Sequence, residues 1–172
     1  LGSVSVPRPL FEEIVVVLAG RPNEKVREIA ARFGASVHDL PADVPLTPEG
    51  GIADFAAARN FSFSLCRGTW IGWLDTDDVW PAHASTPAAE NGHETVGLAD
   101  FLRSLPRAFN HVVIPYHYDI ASNGKVITIS KRTRFVRWAD GWTWQTWNLR
   151  CHEDLVPIPP NGSNTRSSGY SS

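Results

Sequence analysis

Methionine is absent from the 172 residues, and cysteine nearly so, with Cys66 and Cys151 the only two thiols. Two thiols make no disulfide framework, which fits a reducing compartment. No apolar stretch approaches the roughly 20 residues of a membrane-spanning helix, and no basic segment leads into an apolar signal core. The expected location is therefore cytoplasmic. A basic excess is also missing. Sixteen Lys and Arg stand against 18 Asp and Glu, for a formal net charge of -2, so nucleic acid is disfavoured as the main partner. Neither a CxxC pair nor an HExxH helix occurs, which ranks zinc chemistry last. Two Asn-x-Ser sequons, at Asn60 and Asn161, read as chance matches without a secretory signal. The chain opens on Leu1, as a processed or truncated piece of something longer would.

What is present is an alternation of strand and helix signals, in a length that suits one domain better than two. "EIVVVL", Glu13 to Leu18, is a continuous β-branched run of the type found in central parallel strands, and Gly20 and Pro22 end it. From Asn23 to Phe33 the spacing places Val26, Ile29, Ala30 and Phe33 on one helical face, with Gly34 as the stop. "ASVHDL" follows as a short strand, completing a βαβ unit. The proline-rich stretch from Pro41 to Gly51 is a loop, Ile52 to Leu65 a second helix, and Trp70 to Leu74 a buried strand. The expected class is α/β.

That last strand runs straight into Asp75, Thr76, Asp77 and Asp78. In open α/β sheets ligands bind beyond the carboxyl ends of strands, and three crowded carboxylates repel one another. A divalent cation such as Mg²⁺ or Mn²⁺ removes the conflict, since it prefers oxygen ligands and bridges substrate phosphates. The plainer alternative is a solvated turn with Asp77 or Asp78 capping the next segment.

The stretch "DFAAARNFSFSLCRGTWIGWLDTDDVW", Asp54 to Trp80, resembles the centre of the family 2 glycosyltransferases. Upstream, "VREIAARFGASV" is similar to the helix and strand before that centre. Downstream, "RTRFVRWADGWTWQTWNLRCHEDL" resembles the branch that ends in a histidine-glutamate pair. Several ordered matches across residues 13–157 are more specific than one DxD motif. The resemblance implies a GT-A, Rossmann-like, mostly parallel sheet flanked by helices, with a C-terminal antiparallel hairpin region, over residues 10–157. It implies a nucleotide-diphosphate sugar, a UDP- or GDP-sugar, as donor, an acceptor hydroxyl, and Mn²⁺ or Mg²⁺ as cofactor. Asp75 would contact the nucleotide ribose, and Asp77, with Asp78, would hold the metal. Arg59 would lie near the nucleotide, although an arginine on that helix equally suits a structural ion pair. His152 would be a further metal or phosphate contact, a lone histidine being more often structural. Glu153 would be the general base of an inverting transfer, with Asp154 its close rival.

Two departures stand out. The acidic segment that follows the second strand in the family is "AGRPNEKV" here, Ala19 to Val26, where only Glu24 retains an acid for the nucleotide. The family's first strand and helix have no counterpart before Leu10. A sheet without that strand leaves an edge and apolar helix faces uncovered.

Farther along, Pro81 to Gly97 reads as a polar loop, Leu98 to Leu105 as a short helix, and Val112 to Tyr118 and Val126 to Ser130 as a hairpin across Asn123-Gly124. Most of Phe135, Trp138, Trp142, Trp144 and Trp147 belong to the core, with Trp144 or Trp147 the place for an acceptor contact. Residues 158–172 form a disordered tail or linker. Two rival functions remain: a phosphoester hydrolase holding two cations, and a non-catalytic sugar-binding or interaction module of transferase ancestry.

Overall fold

The β-branched run forms strand β1, Val15–Leu18, and the next segment forms helix α1, Glu24–Arg32. The computed structural model describes residues 11–20, 23–75, 78, 97–146 and 153–159. The Asn23 side chain accepts from the Val26 amide and caps α1. At the other end the Ala35 amide donates to Ala30 and the Gly34 amide to Ala31, a Schellman closure that Gly34 permits at φ +67°. Strand β2, Ser36–Asp39, then lies parallel to β1, from Val15 opposite Ser36 to Leu18 opposite Asp39. Arg27 on α1 is ion-paired with Asp39. The expected βαβ unit therefore forms. Its helix face is only partly covered: Ala30 is buried, whereas Ile29 is 43% and Phe33 73% exposed.

Helix α2, Phe55–Ser64, is capped by Asp54, whose carboxylate accepts from the Ala57 amide at 2.9 Å. It packs against β1 and against a second pair of strands, β6 (Trp142–Thr146) and β7 (Glu153–Pro157). These two are antiparallel, from Trp142 opposite Pro157 to Thr146 opposite Glu153. Ala56 and Ala58 bring the helix backbone close, and Phe63 meets Trp138 and Trp144 edge-on at 5.3 and 5.6 Å. Burying a side chain such as Phe63 contributes about 1.5–3 kcal/mol. These elements belong to one compact unit, Val15–Thr69 with Arg137–Ser172.

Leu1–Ile14 and Trp70–Val136 make up the other unit. It contains β3 (Trp70–Gly72), α3 (Leu98–Ser104), β4 (His111–Ile120) and β5 (Val126–Arg137), the last running one residue past the boundary. The strand order is β3-β5-β4, with β4 and β5 antiparallel. Their connection closes through the Lys125 amide on Asn123 Oδ1 and through Gly124 at φ +81°, as the Asn-Gly signal anticipates. Gly72 is required where β3 meets β5. A Cβ there would lie 2.4 Å from Cε1 of Phe135 and 3.2 Å from the Arg134 carbonyl oxygen. Gly72→Ala is expected to lose about 1–3 kcal/mol, because a buried ring must leave its rotamer well to make room. A urea-unfolding midpoint equal to that of the parent chain would show that the Phe135 ring yields freely.

The expectation of a GT-A, mostly parallel sheet is overturned. Among the described residues, the parallel sheet has only two strands, β1 and β2, three α-helices are present, and the β4–β5 and β6–β7 pairings are antiparallel. The physical reason lies in β3. A short apolar run suits a buried parallel strand and the partner of a long hairpin strand equally, and periodicity does not separate them. Here it pairs with β5. No helix among the described residues is long and apolar enough to cross a membrane. Most of the loop expected over residues 81–97, and all of the tail beyond residue 159, lie outside the described residues.

Candidate functional site

Three residues expected at the site from separate parts of the chain meet in the unit built around α2. Arg59 Nε donates to Glu153 Oε1 at 2.6 Å, and the Arg59 guanidinium lies over the Trp144 ring at 4.9 Å. Both charged side chains are shielded from water, Arg59 at 16% and Glu153 at 8% exposure. The adjacent Asn60 fixes the geometry. Its Nδ2 donates to the Trp144 carbonyl at 3.0 Å and its Oδ1 accepts from the Trp144 amide at 2.8 Å, so an asparagine on a helix pairs with an edge strand as a neighbouring backbone would. Sequence reasoning gave Asn60 no role, and the signal was its place beside Arg59.

The structural ion pair weighed for Arg59 is thus the arrangement observed. Glu153 and Asp154 are consecutive on β7, so their side chains point to opposite faces. Glu153 faces the arginine, and Asp154 is exposed. Trp144 is buried at 4%, behind Arg59 rather than open to an acceptor. Glu24, in the first turn of α1, is an exposed side chain 4.0 Å from Arg27.

The other unit carries the acidic segment. Asp75 and Asp78 are joined twice: the Asp78 amide donates to the Asp75 carbonyl at 3.0 Å, and the Asp75 amide donates to Asp78 Oδ2 at 3.0 Å. Arg134, from the buried end of β5, donates through Nη1 to the same Asp78 oxygen at 2.8 Å and to the Trp73 carbonyl at 3.3 Å. Its guanidinium is stacked on Trp73 at 3.9 Å and on Tyr116 at 4.9 Å. Asp78 and Arg134 are 4% and 5% exposed. Burial is the largest single influence on Asp78 and pushes its carboxyl up. The Asp75 amide, the Tyr116 hydroxyl and the Arg134 guanidinium together outweigh it and hold the group below the usual carboxylate value.

Asp78 was expected to help hold a metal, and a cation fits poorly here. Oδ2 accepts from the Asp75 amide and from Arg134 Nη1, the Tyr116 hydroxyl also supports the carboxylate, and Oδ1 is buried. A dication at Oδ1 would sit beside a guanidinium that already neutralises the carboxylate. Among the described residues no group of three or more His, Cys, Asp or Glu could hold a metal. Asp77, His152 and Trp147, the other expected metal and acceptor residues, lie outside the described residues.

Arg134, Trp73 and Tyr116 were missed as partners of the acidic segment. The signal was the carboxylate crowding itself, which a protein guanidinium relieves as well as an ion does, together with an arginine followed by two apolar residues in "TRFV". Scans against protein-family profiles, characterised proteins and solved structures return no match for this chain.

Proposed function

We propose that the chain binds a nucleotide-diphosphate sugar and transfers the sugar to an acceptor hydroxyl with inversion. The observation that carries this reading is the placement of Asp75: an exposed carboxylate just beyond a rigid strand, with its main chain tied twice to a buried, ion-paired neighbour. A carboxylate accepts from ribose hydroxyls, and holding it on a fixed backbone lowers the cost of ordering it on binding. The ordered sequence matches from Asp54 to Trp80 and from Arg132 to Leu155 support the same reading.

In the transfer, the bond from the anomeric carbon to the diphosphate oxygen breaks as the acceptor oxygen bonds from the opposite face. The acceptor's proton passes to a carboxylate. Of the two acids on β7, we assign that role to Asp154, which is exposed, because the Glu153 oxygen is engaged by Arg59. A divalent cation held by Asp77 and His152 would offset the charge that grows on the leaving diphosphate.

The test is calorimetric titration of UDP and GDP into the chain, each with and without Mn²⁺, and again with Asp75→Ala. One nucleotide is expected to bind, and the substitution is expected to weaken it about 10- to 100-fold, the worth of a charge-assisted hydrogen bond of about 1.5–3 kcal/mol. The Mn²⁺ arm addresses Asp77 and His152. A folded chain that binds neither nucleotide under any condition overturns the proposal. The part-buried Arg59–Glu153 pair favours a second reading, a binding module without turnover. It expects the same binding with no release of nucleoside diphosphate from a sugar donor.

A further inference from the structure

We infer that Arg134 is a positioning residue for Asp75, acting through Asp78. This deepens the proposed donor contact and rests on it for its functional meaning, while the structural link stands on its own geometry. The chain of contacts is short. Trp73 and Tyr116 hold the guanidinium plane at 3.9 and 4.9 Å, Arg134 Nη1 holds Asp78 Oδ2 at 2.8 Å, and that oxygen accepts from the Asp75 amide at 3.0 Å. Arg134 and Asp78 are both more than nine-tenths buried, so neither is available to touch a substrate. Their interaction is passed on to the main chain of exposed Asp75, the residue proposed to meet the ribose. A planar, stacked guanidinium suits this better than an ammonium, since its donors are fixed in direction.

The link has a built-in control. The Trp73 amide donates at 3.3 Å to the main-chain oxygen of Arg134, a bond that no side-chain substitution removes. Amide hydrogen exchange of the full chain separates the two. In Arg134→Met, exchange at Asp75 is expected to accelerate at least tenfold more than exchange at Trp73. Arg134→Lys, which keeps the charge and loses the fixed donor geometry, is expected to give a smaller excess of at least threefold. The lysine variant also decides the matter if the methionine variant does not fold. Equal acceleration at both amides, or none at Asp75, would show that Arg134 merely stabilises the unit, and overturns the inference. Titration of UDP and GDP into the parent chain is read separately: absence of binding there sinks the donor reading, while positioning is still decided by the exchange result.

Discussion

Arg134→Met is expected to lower the stability of the chain by about 3–5 kcal/mol, the usual effect of removing one partner from a buried ion pair. The loss comes mainly from what is left behind. Asp78 is 4% exposed, and without the guanidinium its charge has, among the described residues, the Asp75 amide and the Tyr116 hydroxyl for support. Asp78→Asn combined with Arg134→Met removes both charges, and is expected to recover much of the loss, because no uncompensated charge then remains buried. Urea unfolding of the parent, both single variants and the double variant gives the coupling energy directly. Additive losses would mean that the pair contributes nothing as a pair.

The same pair sets a pH dependence. The Asp78 carboxyl is held below its usual value of 3.8, so its contribution to stability is fully present above that value and is lost as the pH falls from there through the lowered one. Asp78→Asn is expected to flatten this acid limb. An acid limb as steep as that of the parent would assign the loss to other carboxylates.

Much of the local structure was legible because it is written in local chemistry. Asn23 and Gly34 bracket α1, Asp54 opens α2, and Asn123-Gly124 closes the β4–β5 hairpin, each through contacts within a few residues of itself. The sheet arrangement was not legible. It depends on whether Trp70–Gly72 pairs with β1 or with β5, and the pairing observed sets Phe135 against Gly72, across more than sixty residues of sequence. The candidate site divides the same way. The family resemblance singled out Arg59 and Glu153 and aromatic character singled out Trp144, and the structure brings the three together. Their state was beyond sequence, because an acid committed to a buried arginine and an acid open to a substrate look identical in a one-letter string. Asp78 illustrates the consequence: three adjacent carboxylates pointed to a metal, and the counter-charge observed beside Asp78 is a guanidinium fifty-six residues away.

Glu153 and Asp154 offer the second large effect, because alternation along β7 turns neighbouring acids to opposite faces and the proposed transfer gives them different duties. Asp154→Asn is expected to reduce release of nucleoside diphosphate from a UDP- or GDP-sugar by about 10²–10⁴-fold, the range for losing a general base. Nucleotide affinity and unfolding midpoint should be nearly unchanged, since Asp154 is an exposed side chain. Glu153→Gln is expected to behave in the opposite way. It removes the charge that Arg59 holds at 2.6 Å in a site where both side chains are shielded, so its main effect is on stability, about 3 kcal/mol because glutamine still offers an acceptor oxygen. Per folded molecule, it should retain turnover within a few-fold of the parent. Measuring turnover and unfolding on both variants separates the roles: loss of turnover without loss of stability in Glu153→Gln would reverse the assignment. That result would require the Arg59–Glu153 pair to open in the working state, which the 2.6 Å bond and the stacking of Arg59 on Trp144 both oppose.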